Sequence, residues 1–271
     1  MGRVPRDNYK RHCIMTSLFN DIIFGPVRSR RLGLSLGVNL LPVESKLCSF
    51  DCIYCECGWN GDHPGGRRFN RREDVERLLR ETLEKMVAAG TPPDVITFAG
   101  NGEPTLHPEF EAVIGDTLRL RDAICPSARV SVLSNATQLH RPDVRRALER
   151  VDNNLLKLDS AFDKTVRLLN RPQGNYSVER VVEQLCGFEG KLIVQTMFLR
   201  GECEGVRVDN TTEEEVSAYL RLIGQIRPSR VMIYSLDRDT PCQTLEKVSK
   251  EELSRIAARV EALGIPCPVA G

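Results

Sequence analysis

The chain has 271 residues, 41% of them hydrophobic and 28% charged, with a formal net charge of +1. A chain of this size and composition buries a sufficient core without disulfides, and its balanced charge excludes a protein held on nucleic acid or lipid by bulk charge alone. No run approaches the roughly 20 apolar residues of a membrane span. The first ten residues lack the apolar stretch of a secretory signal, so the expected location is the cytoplasm, with no membrane partner. There the ten cysteines are expected as thiols or metal ligands.

Residues 1–24 read as an N-terminal extension with one apolar run, 17–24, and with His12 and Cys13 as isolated polar groups. Residues 25–271 read as one domain, since no linker rich in Pro, Gly or Ser divides them. Residues 25–33 are turn-rich and basic. Residues 34–41 form a first strand that Pro42 ends. A cysteine-rich loop follows, then a Gly-rich exposed loop over 58–66 that carries Trp59, the sole tryptophan.

From Arg72 the period turns helical: Val75, Leu78, Leu79, Leu83, Met86 and Val87 recur at three- and four-residue steps until Gly90, Pro92 and Pro93. Further strands are expected over 94–99, 129–134, 154–159, 191–199 and 230–236. Helices are expected over 109–124, 143–150, 163–169, 177–186, 212–226 and 249–263. Thr212 with Glu215, and Ser249 with Glu252, have capping-box spacing. Residues 170–174 read as a turn, 201–205 as a loop and 265–269 as a short edge strand. Strand and helix alternate about six times, the rhythm of a parallel sheet with right-handed crossovers. Six units fall short of a complete eight-fold barrel, and a doubly wound sheet fits the rhythm equally well.

Chemistry concentrates in the loop after the first strand. Cys48, Cys52 and Cys55 have C-x3-C-x2-C spacing, which presents three thiolates from one side of a loop. An Fe4S4 cluster takes one thiolate per iron, so three leave one iron open. A structural zinc draws two closely spaced cysteine pairs, and no second pair follows. Cys57 is a poor chelate with Cys55 for one tetrahedral ion.

In parallel α/β folds, active residues collect at the C-terminal strand ends. Gly100-Asn101-Gly102-Glu103 follows the second strand, where glycines let a backbone approach a ligand closely. Ser134 and Asn135 end the third strand, with donors and acceptors suited to hydroxyls or a carboxylate, or to a helix cap. Lys157 and Asp159 end the fourth and share one face, as ligand contacts or as an ion pair. Gln195 and Thr196 interrupt the fifth. Tyr234, Asp237 and Arg238 close the sixth. Cys186, Cys203, Cys242 and Cys267 are dispersed and read as buried thiols, with a second cluster as the alternative. Residues 1–72 carry twelve Lys/Arg against six Asp/Glu, with Arg28, Arg30 and Arg31 before the cysteine loop and Arg67, Arg68, Arg71 and Arg72 after it. A basic rim of this kind suits an anionic substrate such as RNA.

The stretch Cys48-Ser-Phe-Asp-Cys52-Ile-Tyr54-Cys55 resembles the signature of the radical S-adenosylmethionine (radical SAM) superfamily, including the aromatic Tyr54 before the third cysteine. The resemblance implies a (β/α)6 partial TIM barrel of parallel strands with helices outside. It implies a [4Fe–4S] cluster on Cys48, Cys52 and Cys55 whose open iron chelates the amino and carboxylate groups of S-adenosylmethionine. One electron then cleaves the sulfonium, and the 5'-deoxyadenosyl radical takes hydrogen from a substrate. In this family Gly100, Asn101, Gly102 and Glu103 look like the "GGE" segment that binds the methionyl amino group. Tyr54, Ser134, Asn135, Lys157 and Asp159 occupy further cofactor-binding positions. An electron donor such as flavodoxin or ferredoxin is implied.

Longer stretches add to this: residues 24–42, Glu56-Cys57-Gly58, residues 98–105, residues 156–159 and residues 234–241. Together they look like a group of short radical SAM proteins usually labelled as related to the wyosine-type tRNA base synthase. The wyosine enzyme carries a second cluster on additional N-terminal cysteines, whereas here Cys13 alone precedes the loop. The expected substrate is thus an unidentified RNA base, small molecule or peptide. The alternatives are an activase of glycyl-radical enzymes, or a non-catalytic iron–sulfur or zinc protein. An electron carrier needs neither the Gly-Asn-Gly-Glu segment nor six barrel units.

Overall fold

The computed structural model describes residues 18–29, 33–63 and 65–270. Most of the expected N-terminal extension, with His12 and Cys13, lies outside the described residues, as do Arg30 and Arg31. The strands are β1 (Ile23–Ser29), β2 (Gly33–Val38), β3 (Val95–Phe98), β4 (Arg129–Ser134), β5 (Asn153–Lys157), β6 (Ile193–Met197), β7 (Leu199–Cys203), β8 (Val206–Asp209), β9 (Arg230–Tyr234), β10 (Leu245–Lys247) and β11 (Val269–Ala270). The helices are α1 (Arg72–Ala88), α2 (Phe110–Ile124), α3 (Pro142–Arg150), α4 (Asp163–Leu169), α5 (Val178–Cys186), α6 (Glu213–Ile226) and α7 (Lys250–Glu261).

The main sheet has eight strands in the order β1-β2-β3-β4-β5-β6-β9-β11. From β2 to β11 every pairing is parallel, and the crossovers carry the helices. This is the mixed α/β, mainly parallel architecture expected of a partial barrel. Strands covered on both faces must be apolar throughout, and all four residues of β3 are buried. Ser177, Thr212 and Ser249 accept hydrogen bonds from the backbone N–H groups of Arg180, Glu215 and Glu252 and start α5, α6 and α7. Among the described residues no helix is long and apolar enough to cross a membrane.

Register decides what lines the barrel interior. Residues side by side in a parallel ladder point the same way. Leu133 lies beside Leu155, and Leu155 beside Ile193; with Met232 they form a small apolar cluster of their own. Lys157, Gln195 and Met232 align in the same way. The interior thus has an apolar floor and turns polar toward the C-terminal strand ends. Thr196 falls on the opposite face from Gln195: its hydroxyl donates to the Leu158 carbonyl at 2.8 Å and meets the Tyr219 hydroxyl of α6 at 2.7 Å.

Three features depart from the expected layout. Residues 25–29, read as turn, belong to β1, an antiparallel edge strand on β2; Gly25 and Pro26 mask its alternation. Residues 201–205, read as loop, carry the end of β7 and the turn to β8. With β10 these make a separate three-stranded antiparallel sheet. Cys203 and Cys242, expected as dispersed, come together with Cα atoms 5.5 Å apart, bringing β7 against the segment before β10.

The outer helices are cross-braced. Arg72 at the start of α1 grips Asp116 of α2 through two nitrogens at 2.5 and 2.9 Å, and Arg119 adds a third contact at 2.6 Å. The Arg72 guanidinium holds the Asp116 carboxyl below its ordinary pKa. A depressed carboxyl stabilises the fold above its unfolded-state pKa and loses that contribution as pH falls through the folded-state value. Asp116→Asn is therefore expected to cost about 1–2 kcal/mol at neutral pH, given the solvent exposure of Arg72. In acid the variant and parent should converge, which urea unfolding at the two pH values measures.

Candidate functional site

The loop between β2 and α1 carries the three cysteines, and three other segments hold it. Leu47 forms a β-bridge with Gly102: its N–H donates to the Asn101 carbonyl at 2.8 Å, and its carbonyl accepts from Glu103 N at 3.1 Å. On the far side the end of α4 meets the loop along its backbone. Asp51 N donates to Asn170 O at 2.8 Å, Ile53 N to Leu169 O at 2.9 Å, and Gln173 N to Ser49 O at 2.8 Å. Asn60 closes the loop on itself, its amide donating to the carbonyls of Cys48 and Phe50. Cys242 N donates to Ile53 O at 3.4 Å.

The sulfurs receive polar contacts from three directions. Phe50 N lies 3.4 Å and Asn135 Nδ2 3.6 Å from Cys48 Sγ. Asn170 Nδ2 lies 3.4 Å from Cys52 Sγ. Lys46, its side chain only 1% exposed, donates to the Gly58 carbonyl at 2.6 Å and pairs with Asp51 at 3.3 Å. Burial opposes the Lys46 charge, but the three cysteines together raise its pKa above the ordinary value. Burial pushes Cys48 up, with Glu103 and Cys52 adding to it. Burial also pushes Cys52 up, to about 11, against the pull of Lys157 and Asn170. Neighbouring Cys57, with help from Lys46, draws the Cys55 thiol below its ordinary pKa despite burial. Cys57 also points at the Gly100 carbonyl, 3.6 Å away.

Of the sequence-predicted residues, Gly100, Asn101, Gly102 and Glu103 stand directly beside the loop. Gly100 and Gly102 both have φ of +138°. The Asn101 side chain is consumed by the fold: it accepts from Phe19 N and donates to the carbonyls of Phe19 and Pro42. Glu103 is a buried hub. It accepts from Thr105 N, Thr105 Oγ1 and Ser134 Oγ on one oxygen and from Asn135 N at 2.6 Å on the other. Burial raises its pKa despite these donors. Ser134 and Asn135 thereby join β4 to the turn after β3, and Asn135 reaches on to Ser49 and Cys48.

Lys157 and Asp159 come together with Tyr54. Lys157 Nζ lies 3.6 Å from Asp159 Oδ2, 5.3 Å over the Tyr54 ring and 3.4 Å from the Tyr234 hydroxyl. Burial opposes the lysine charge, but Asp159 and the neighbouring tyrosine hold its pKa above the ordinary value. Asp159 accepts from the Tyr54 hydroxyl, Asn170 Nδ2 and Met197 N. Trp59 is half-buried beneath Arg171, whose guanidinium sits 4.6 Å over its ring.

A lateral cleft of about 430 Å³ opens beside Tyr54, between the β1–β2 hairpin and the segment after β9. Arg28, Arg238, Lys247 and Lys250 line it with Glu56 and Asp237, among the aromatic rings of Phe24, Tyr54 and Tyr234. Arg238 pairs with Glu56 at 2.7 Å and Lys247 with Asp237 at 3.2 Å.

Sequence reasoning passed over Lys46, Asn60 and Asn170. Lys46 is close to Cys48 in sequence, but only its burial marks it. Asn170 was read as part of a turn.

The donor set fits a four-iron cluster. One loop offers three thiols, two of them with N–H donors already on sulfur, beside a buried cation and a glycine turn that a Cβ at Gly102 would fill. Among the described residues no three His, Cys, Asp or Glu side chains converge as on a single metal ion. Cluster thiolates each hold a different iron and need not converge in that way.

Comparison with known proteins agrees with this geometry. The sequence model described as the Radical SAM superfamily matches residues 45–231. The chain belongs to the radical SAM superfamily. Like the family, it is an enzyme that uses a [4Fe–4S] cluster and S-adenosylmethionine. A UPF0026 protein of Helicobacter pylori is 30% identical over 257 residues, covering 91% of this chain and 76% of that one. A UPF0026 protein of Synechocystis is 33% identical over 227 residues, covering 82% and 77%. In fold, this radical SAM chain is similar to a radical SAM methyltransferase from Sphaerobacter thermophilus (TM-score 0.65, 17% identity, covering 87% of this chain and 65% of that one). It is also similar to Streptococcus suis SuiB bound to S-adenosylmethionine (TM-score 0.61, 15% identity, covering 84% and 49%). It therefore spans less than two thirds of either of those chains. TYW1 with a lysine-pyruvate adduct bound shares the fold at a TM-score of 0.57 and 13% identity.

Proposed function

We propose that Cys48, Cys52 and Cys55 hold the [4Fe–4S] cluster, and that S-adenosylmethionine binds against Tyr54, the backbone of Gly100–Glu103, Ser134, Asn135, Lys157 and Asp159. The observation that carries this reading is the Leu47–Gly102 bridge, which ties the cysteine loop to the glycine turn. When bound, the reduced cluster supplies the electron that cleaves the sulfonium of S-adenosylmethionine to the 5'-deoxyadenosyl radical. Gly100 and Gly102 let the turn pack closely against Asn39 and Leu47, where a Cβ would collide. Lys157 offers a buried cation to a carboxylate, and Asp159 holds it. Glu103, fastened by four donors, fixes the spacing between the ends of β3 and β4. The floor formed by Leu133, Leu155, Ile193 and Met232 keeps water from entering beneath. A low-potential one-electron protein, a flavodoxin or ferredoxin, supplies the reducing equivalent in this scheme.

The substrate in this reading is anionic, with an RNA base as the first candidate. Support comes from the lateral cleft, where four cations outnumber two carboxylates and aromatic rings offer surfaces for a base to stack on. Anaerobically reconstituted protein, reduced with dithionite, is expected to form 5'-deoxyadenosine from S-adenosylmethionine, and added RNA should raise the yield. Product without any response to RNA would overturn the substrate class. An intact cluster that yields no 5'-deoxyadenosine would overturn the site.

A further inference from the structure

Asn170 ends α4, is 1% exposed, and has an amide surrounded by acceptors. Its Nδ2 lies 2.7 Å from Asp159 Oδ2, 2.8 Å from the Tyr54 hydroxyl and 3.4 Å from Cys52 Sγ. An amide nitrogen has two hydrogens. One is taken by the Asp159 carboxylate, and the other is shared between the tyrosine oxygen and the sulfur. The orientation of the amide is set by chemistry: reversing it would place a carbonyl oxygen against a carboxylate. The side chain has little freedom to leave, because the backbone on either side is bonded to the cysteine loop at Asp51 and Ile53.

We propose that Asn170 is a positioning residue that sets the reduction potential of the cluster by holding an N–H on the Cys52 sulfur. The proposal rests on the reading of Cys52 as a cluster ligand. Hydrogen bonds to ligand sulfur are one of the levers that set iron–sulfur potentials. Reduction adds negative charge that spreads onto the thiolates, so a donor on sulfur favours the reduced form. Asp159 acts one step further back. It fixes the amide in the donating orientation, and its other oxygen is anchored by Met197 N at 2.9 Å. The cluster ligand and the residue that eases its reduction thus lie on different segments, 118 positions apart.

The test is a redox titration of the reconstituted protein without S-adenosylmethionine, followed by EPR of the reduced cluster. Asn170→Leu keeps the size and removes the donor. Asn170→Asp keeps the shape and turns an oxygen toward the sulfur. At a fixed solution potential the reduced-to-oxidised ratio is expected to fall about tenfold in Asn170→Leu, equivalent to ~59 mV for a one-electron couple. It should fall further in Asn170→Asp, with the iron content of both variants equal to that of the parent. Potentials unchanged, or shifted upward, in variants that carry a full cluster would overturn the proposal. So would loss of iron from both variants, which would make the side chain a requirement for assembly instead. A parent protein with no reducible four-iron cluster would overturn the ligand assignment itself, and is recognised before any variant is made.

Discussion

Cys52→Ala is expected to purify without its four-iron cluster and to form no 5'-deoxyadenosine, while Cys57→Ala keeps both. The contrast follows from the different placement of two buried sulfurs five residues apart. Cys52 sits at the centre of the C-x3-C-x2-C triplet, receives an N–H from Asn170, and is flanked by backbone groups tied to α4. With Cys52 gone, two protein thiolates remain for four irons, and the cluster loses the ligand bracketed by the two backbone bonds to the end of α4. Cys57 lies outside the triplet, and its thiol is directed at the Gly100 carbonyl. Iron and sulfide analysis with the absorption spectrum reads the cluster, and chromatography reads the nucleoside. Loss of the cluster from Cys57→Ala would show a four-thiolate site and remove the open iron on which the chemistry depends.

Gly102→Ala is expected to damage the fold and the site together. At φ +138° an L side chain is strained, at about 1–3 kcal/mol for such backbone conformations. Here the added Cβ would also stand 1.9 Å from the Leu47 carbonyl oxygen and 3.2 Å from Cys48 N. Backbone cannot yield as a flexible side chain can, so the Leu47–Gly102 bridge must open and the cysteine loop must shift with it. Gly174 provides the control. Its φ is +107°, but an added Cβ there meets nothing within 4 Å, so Gly174→Ala carries strain without collision. Thermal unfolding of the two variants should show Gly102→Ala losing at least twice the stability lost by Gly174→Ala, and only Gly102→Ala should lose iron. Equal losses would mean that the bridge does not fasten the loop.

Much of this was legible along the chain. Six of the seven parallel strands stand where mainly apolar stretches predicted them, because strands covered on both faces are mostly apolar. The cysteine triplet and the glycine turn were visible as motifs because each depends on local spacing, and the Leu47–Gly102 bridge sets them side by side. β1 and the small sheet of β7, β8 and β10 were not. Gly25 and Pro26 mask β1, glycine and charge mask β7 and β8, and β10 is stabilised by pairing with β7, which lies far from it along the chain. The same limit applies in the site. Asn101 was grouped with the cofactor-binding turn, yet its amide serves Phe19 and Pro42. Asn170 looked like an ordinary turn residue because its meeting with Cys52 exists only in three dimensions. Gln195 and Thr196 read as one polar pair, and register separates them onto opposite faces.

The backbone bonds between residues 49–53 and residues 169–173 also impose an order on maturation. Synthesis delivers the cysteines more than a hundred residues before the segment that shapes them. While the ribosome works through β3, β4 and β5, the three thiols belong to a loop whose far wall has not yet been made. Iron that arrived then would meet a flexible peptide able to chelate it in several wrong ways. The loop geometry seen here is complete only once residues 169–173 have docked against it.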